Sequence, residues 1–163
     1  MTAPNTTGDQ ASSDVIDALN ALLTGSRDGS KVARDAAEAV HRADLKSLLT
    51  EQANQGERHA GEMDAEIRRL GGDPDEGGKL GAKARRAVTD LVAAVTGRDD
   101  TAVLSQVEGG LDQAERAYAL ALREALGGQT QALVQRQWDE IAANHNRIAE
   151  LLRQDPGKGQ AQG

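Results

Sequence analysis

The chain has 163 residues and a formal charge of −7, with 26 acidic residues against 19 basic ones. Its length suits one domain, because single domains commonly hold about 100–200 residues. It contains no Phe, one Trp and one Tyr, which excludes an all-β fold because strands are rich in aromatic residues. The negative surface repels phosphate backbones, so we expect no nucleic-acid partner. We also expect no membrane association, because no apolar run approaches the length of about 18 residues that a span requires.

The chain has no cysteine, which excludes disulfides, thiol catalysis and thiolate metal sites. Any metal ion would have to be held by histidines and carboxylates. Residues 1–12 are polar and lack the basic start and apolar stretch of a signal peptide. We predict that they form a disordered tail, and we expect the protein to be cytoplasmic.

Apolar residues at helical spacing predict a long helix over residues 13–41 and a second one over residues 44–70. Gly71 and Gly72 then end the second helix, because glycine readily adopts the left-handed conformation found after helix C-termini. Only a tight turn separates the two helices. Short connections make neighbouring helices antiparallel, so these two form an αα-hairpin.

A stretch rich in Gly, Asp and Pro follows, and it leads into a shorter amphipathic segment at residues 80–96. We predict that this segment is an extra helix across the bundle. Two further helices follow at residues 99–126 and 129–154, joined by a tight turn at two glycines. They form a second antiparallel hairpin, and the Gly- and Gln-rich residues 155–163 form a disordered tail.

Two antiparallel hairpins joined by one long connection predict an all-α, ferritin-like four-helix bundle over residues 13–154. The long crossover, which contains the short extra helix, returns the chain to the end of the bundle where it started. An up-down-up-down bundle would instead need three short loops. The remaining question is what lies inside this bundle.

Polar residues interrupt the apolar stripes at mid-height. At 1.5 Å per residue, Ser26 and His59 each lie about 25 Å from the first hairpin turn, and His145 lies at the matching depth in the second hairpin. The same zone contains Gln52, Gly56, Gln137 and Asn144. We therefore predict a polar layer with two histidines between ends that are rich in Leu and Val.

Ferritin-like bundles hold two metal ions with glutamates and Glu-x-x-His motifs. Here Gly56 and Ala142 stand three residues before His59 and His145, so neither histidine has the carboxylate that the motif requires. Other carboxylates could complete a degenerate or mononuclear site. The candidate metal ligands are His59, His145, Glu62, Glu108, Asp112 and Glu115.

Three interpretations of the polar layer stay open. In the first, the two histidines are structural and bond to Gln, Asn or water, as buried polar groups normally do. This interpretation predicts no cofactor. In the second, a degenerate site binds iron or manganese. In the third, the layer lines a cavity for a small ligand.

Short motifs follow one another along most of the chain: SRDG at residues 26–29, IRRLGGDP at 67–74, AVTG at 94–97, AY at 117–118, RQ at 136–137 and NH at 144–145. In this succession the chain resembles the PA2169-type four-helix-bundle family, a ferritin-like domain of unknown function. The resemblance implies the bundle fold and a bacterial, stress-associated setting, and it implies no established reaction. By analogy with the wider ferritin-like group, His59 and His145 fall where metal-binding histidines would be. The carboxylates are replaced by Thr24 or Gly25, Gly56, Leu111 and Ala142.

These observations lead to two hypotheses of function. The favoured one is a non-enzymatic bundle, a stress-associated structural or interaction protein with a degenerate metal site. The alternative is a ferritin-like metal-binding protein or oxidase that uses the central histidines and the carboxylates of the third helix. A homo-oligomer that buries the flank around Trp138 is a further hypothesis about its partners.

Overall fold

The structure is a computed structural model that describes residues 6–74 and 99–154, with side chains from residue 12 onward. These residues form four α-helices, which are α1 (Thr6–Ala39), α2 (Ala43–Arg69), α3 (Asp100–Ala121) and α4 (Gly128–Gln154). No β-strand occurs within the two described ranges. The prediction of an all-α four-helix bundle is confirmed.

Two helix ends differ from the predicted bounds by more than two residues. α1 begins at Thr6, so residues 6–12, predicted to be part of a disordered tail, belong to this helix instead. Extending an existing helix fixes only one residue for each new hydrogen bond, which makes such extension cheap. The predicted crossover helix at residues 80–96 and the predicted tail at residues 155–163 lie outside the described residues, as do residues 1–5.

The other difference is the end of α3, which lies at Ala121 rather than at residue 126. Beyond it the backbone tightens, because the N–H of Arg123 donates to the carbonyl of Leu120 at 3.1 Å. Bonds of this i→i−3 kind commonly close the last turn of a helix. Gly127, with φ of 81°, then lets the chain reverse directly into α4.

Hydrogen bonds near the helix ends show how the four helices run. Asn20 of α1 donates to the backbone oxygen of Asp73, just after α2, at 3.2 Å, so α1 and α2 are antiparallel. At the opposite end, the backbone N–H of His41 donates to Asp100 Oδ1, at the start of α3, at 2.8 Å. α2 therefore ends at one end of the bundle and α3 begins at the other. This is the predicted arrangement of two hairpins whose connection returns the chain to its starting end.

Two aspartates organise the start of α3. Asp99 caps the helix, because its side chain accepts the N–H of Ala102 at 2.8 Å. Asp100 instead accepts the backbone N–H groups of His41 and Arg42, at 2.8 and 3.1 Å. The turn between α1 and α2 is thereby tied to the second hairpin.

The core is aliphatic and draws on all four helices. Its fully buried side chains include Leu19, Leu23, Leu45, Leu49, Met63, Ile67, Val103, Val134 and Ile148. Burying one such side chain stabilises a fold by about 1.5–3 kcal/mol. On α2 the apolar residues lie toward the two ends, and the stretch between them carries the polar side chains described next.

Candidate functional site

A series of hydrogen bonds crosses the bundle at mid-height and takes one side chain from each helix. Ser26 Oγ of α1 lies 3.2 Å from the Tyr118 hydroxyl of α3, which donates to Gln137 Oε1 of α4 at 2.8 Å. Gln137 Nε2 donates to Glu62 Oε2 of α2 at 2.7 Å and to the backbone oxygen of His59 at 3.3 Å. Because Gln137 and Tyr118 are buried, these bonds satisfy groups that would otherwise lack partners. The structure thus joins Ser26, His59 and Gln137, which the sequence predicts at one height.

His59 lies in the seam between α2 and α4. Its Nε2 is 2.7 Å from Glu140 Oε2, and its side chain is only 3% exposed. Burial lowers the pKa of His59, and the nearby Glu140 carboxylate opposes this shift without overcoming it. The imidazole is therefore neutral at neutral pH and donates its Nε2–H to Glu140.

Arg136 lies between two carboxylates of this seam. Its Nη2 donates to Glu62 Oε2 at 2.7 Å and its Nη1 to Glu140 Oε1 at 3.2 Å. Burial acts to raise the pKa of both carboxyl groups, but their hydrogen bonds outweigh it and the pKa of each is lowered. Hydrogen bonds from Arg136 and Gln137 lower the pKa of Glu62, and hydrogen bonds from His59 and Arg136 lower the pKa of Glu140. Arg58 Nη2 also donates to Glu140 Oε2, at 3.2 Å, so two guanidinium groups of the chain face these two carboxylates.

The seam continues in both directions along α2 and α4. Gln55 Nε2 donates to Glu140 Oε2 at 3.2 Å, and Gln55 Oε1 accepts from Asn144. Toward the other end, Thr130 Oγ1 donates to the buried Glu66 carboxylate at 2.6 Å. A series of polar side chains therefore joins α2 to α4, and we call this surface the α2–α4 seam.

Gln52, which the sequence places in the same polar zone, is not satisfied in this way. Its Oε1 is buried and is the one buried side-chain polar atom in the described residues that has no hydrogen-bond partner. An unsatisfied buried acceptor costs about 1–3 kcal/mol. The polar layer is thus satisfied around His59 and Gln137, and incompletely satisfied at Gln52.

The second histidine lies in a different pair. His145 Nδ1 is 2.7 Å from Glu115 Oε1 of α3, and Trp138 Nε1 donates to the backbone oxygen of Glu115 at 3.2 Å. Trp138 also packs against the hydrophobic core of its own chain. The two histidines therefore contact different carboxylates on different helices. The Trp138 indole makes its hydrogen bond and its packing contacts within its own chain.

The six predicted metal ligands are distributed over several places in the bundle. His59 and Glu62 lie in the α2–α4 seam, and Glu115 pairs with His145 between α3 and α4. On α3, Asp112 forms an ion pair with Arg116 at 2.9 Å, and Glu108 is partly exposed. Within residues 6–74 and 99–154, no group of three His, Asp or Glu side chains is arranged to hold a metal ion.

Gly56 explains why one expected carboxylate is missing. It stands three residues before His59, where the metal-binding motif would have a glutamate. A Cβ atom at this position would lie 3.0 Å from Ser30 Cβ and 3.2 Å from the backbone oxygen of Ser26. α1 packs so closely against α2 here that a side chain at this position would have to displace atoms of α1 by a few tenths of an ångström.

Glu140 and Arg136, which complete the seam, are not among the site residues predicted from the sequence. They are four residues apart on α4, a spacing typical of ion pairs on exposed helix faces. A usable signal was nevertheless present, because Arg136, Gln137, Glu140 and Asn144 recur at helical spacing and so share one face. Which helix that face meets is decided by the packing.

The protonation states in the seam predict how stability depends on pH. The pKa of His59 is lowered, so the stability that it contributes is present above its ordinary pKa of 6.5 and is lost as the pH falls below that value. The pKa values of Glu62 and Glu140 are also lowered, so their contribution is lost as the pH falls below their ordinary value of 4.5. Urea unfolding from mildly alkaline to acidic pH should show a free energy of unfolding that declines in two stages.

A His59→Gln variant should lack the upper stage of this decline. His41→Gln is the matched control, because the His41 side chain is 82% exposed, and it should keep both stages. If His41→Gln removed the upper stage and His59→Gln did not, the pH dependence would not originate in the seam.

The fold and the polar layer together define the class of protein. An all-α bundle of two antiparallel hairpins, with a long crossover and polar side chains at mid-height, is a ferritin-like bundle. The sequence matches, over residues 14–124, the family described as a domain of unknown function (DUF2383). The match spans most of the chain, and the chain belongs to this family.

Among solved structures, the chain is similar to a two-domain protein from Anabaena variabilis that contains DJ-1/ThiJ/PfpI-like and ferritin-like domains, with a TM-score of 0.72 and 20% sequence identity. The match covers 87% of this chain and 40% of that protein, so the chain spans about two fifths of its length. The likeness shows the ferritin-like fold. No curated protein matches the sequence. None of the helices in the described residues has the length and apolar character that crossing a membrane requires.

Proposed function

We propose that this chain is a non-enzymatic, ferritin-like structural or interaction protein whose central layer is closed by its own side chains. The observation that carries the proposal is Arg136, which bonds to both Glu62 and Glu140. In a metal-binding bundle, facing carboxylates are neutralised by the bound ion. Here the two carboxylates face two guanidinium groups, because Arg58 also donates to Glu140 at 3.2 Å, so no metal ion is needed to hold α2 and α4 together.

The chemical state of the central groups also favours a structural role. A catalytic acid or base has to reach its substrate, whereas His59 and Tyr118 are both buried. Burial raises the pKa of Tyr118 to about 12, so its hydroxyl stays protonated and remains a hydrogen-bond donor. Buried groups that are hydrogen-bonded in this way are suited to fixing the positions of the four helices relative to one another.

The cellular setting of the proposal rests on the sequence motifs. Their resemblance to the PA2169-type family supports a bacterial, stress-associated role. The charge of −7 repels polyanions such as nucleic acids, so a protein is the favoured kind of partner. We infer that the protein acts in stress physiology by interaction and not by turnover of a substrate.

Anaerobic titration with Fe(II) or Mn(II), followed by equilibrium dialysis and metal analysis, tests the proposal. We expect less than one ion per chain at micromolar free metal, both for the natural chain and for a variant with His59→Ala and His145→Ala. Stoichiometric binding that the double variant loses would instead support the ferritin-like metal-binding protein or oxidase. That protein would use His59, His145 and the carboxylates of α3.

A second pair of variants isolates the role of Arg136. Arg136→Met removes the cation between Glu62 and Glu140 and should raise the affinity for divalent cations. Arg116→Met is the matched control, because it removes a guanidinium that pairs with Asp112 on an exposed part of α3. Equal metal affinity in the two variants would show that Arg136 does not take the place of a metal ion.

A further inference from the structure

An open groove of about 580 Å³ lies between α1 and α2, away from the α2–α4 seam. One wall carries Arg27, Lys31 and Arg34 of α1, which share a helix face because they are four and three residues apart. Asp35 also lines this wall and pairs with Lys31 at 3.0 Å, so the wall has an excess of positive charge. The other wall carries Glu57 and Asp64 of α2. The groove therefore has a basic wall and an acidic wall that run side by side.

Two ion pairs fix how the walls face each other. Arg27 Nη2 lies 3.6 Å from Asp64 Oδ2, and Arg34 pairs with Glu57. The basic side chains and Glu57 remain substantially exposed, so they can contact a second molecule. Exposed pairs of this kind contribute little to the stability of a single chain.

The acidic wall has a gap at its centre. The antiparallel register that pairs Arg27 with Asp64 and Arg34 with Glu57 brings Lys31 level with Ala60, one residue before Gly61, and all three line the groove. A Cβ atom on Gly61 would meet nothing within 4 Å. Glycine is unfavourable inside a helix, and no contact in the described part of the chain requires it here.

We propose that this groove is an interface between two copies of the chain, related by a twofold axis parallel to α1 and α2. Rotation about such an axis keeps every residue at its height along the groove and exchanges the two walls. Arg27 then lies over the partner's Asp64, Arg34 over the partner's Glu57, and Lys31 beside the gap at the partner's Gly61. An isologous contact requires a surface that is its own complement, and this charge pattern has that property.

The charge pattern also selects the axis. A twofold axis in the same plane but perpendicular to the groove would place α1 on α1 and bring the two basic walls together. Like charges face to face oppose association. The axis parallel to the helices instead pairs opposite charges at both ends of the groove, and it leaves neighbouring helices of the two copies antiparallel.

Analytical ultracentrifugation over a wide range of protein concentration tests the proposal. We expect the natural chain to dimerise, and high salt to weaken the dimer because it screens exposed charges. Gly61→Gln fills the gap and should weaken self-association at least tenfold without unfolding the chain. Gly109→Gln is the matched control, since Gly109 is an exposed helix glycine of α3 with nothing within 4 Å of its Cβ position. It should leave the dimer intact.

A pair of charge-reversed chains gives a sharper test. One carries Lys31→Glu with Arg34→Glu, so that both of its walls are acidic, and the other carries Glu57→Lys with Asp64→Lys, so that both are basic. Each should be monomeric alone, while a mixture should form a dimer with one copy of each. Circular dichroism checks that both variants fold.

Two results would overturn the proposal. One is a natural chain that stays monomeric at every concentration, which would leave the groove to a partner of another kind. The other is a dimer that Gly61→Gln and the charge reversals leave unchanged, which would place the contact on another surface.

Discussion

Replacing Gln137 with leucine is expected to lower the free energy of unfolding by about 2–4 kcal/mol. The leucine side chain is of similar size, so the loss comes from hydrogen bonds and not from a cavity. Tyr118 loses its acceptor, and Glu62 and the backbone oxygen of His59 lose a donor. Ser26 and Arg136 still bond to Tyr118 and Glu62, which keeps the loss below the sum of three orphaned groups. Urea unfolding at neutral pH measures the change.

Gln113→Leu is the control for this substitution, because Gln113 is exposed on α3 and surface changes usually stay within about 0.5 kcal/mol. Combining Gln137→Leu with Tyr118→Phe should cost less than the two single losses added together, since both remove the same hydrogen bond. Additive losses, or equal losses at Gln113 and Gln137, would contradict the continuous series of bonds across the bundle.

Replacing Gly56 with leucine is expected to destabilise the bundle by about 3 kcal/mol, at the upper end of what overpacking normally costs. The new Cβ would press on the Cα and Cβ atoms of Ser30 and on the backbone oxygen of Ser26. Two of these three atoms belong to the α1 backbone, so relief requires the two helices to move apart. Thermal and urea unfolding should both report the loss.

Gly109→Leu separates this steric effect from helix propensity. The Gly109 Cβ position is open, so the same substitution there should stabilise α3 by about 0.5–1 kcal/mol, because leucine forms helices better than glycine. The two leucines should therefore change stability in opposite directions. A stabilising Gly56→Leu would mean that α1 and α2 are not in close contact at this position.

Much of the fold follows from local patterns. The apolar periodicity of residues 44–70 and 129–154 predicts α2 and α4 to within two residues, because a helix face is read directly from spacing along the chain. Gly71 and Gly127, which both have positive φ, mark where α2 ends and where the turn of the second hairpin lies. The predictions were less accurate for the start of α1 at Thr6 and the end of α3 at Ala121, because no glycine marks either end.

The polar layer was predictable in height and not in its pairings. His59, Ser26 and Gln137 share one level because height along a helix is 1.5 Å per residue. The partner of His59 is Glu140, from a helix far away in sequence, and the ligand spacing of metal-binding bundles does not point to it. Long side chains such as Arg136 reach partners that depend on how α4 is rotated.

The sequence by itself therefore determined four helices, two hairpins, the height of the polar residues and the absence of the usual metal-binding glutamates. Only the tertiary structure decided which side chains meet. It gave His59 and His145 separate carboxylates, put Arg136 between Glu62 and Glu140, and packed α1 tightly against Gly56. The physical reason is that height depends on one helix alone, whereas pairing depends on the rotation and separation of two helices, which the whole core sets.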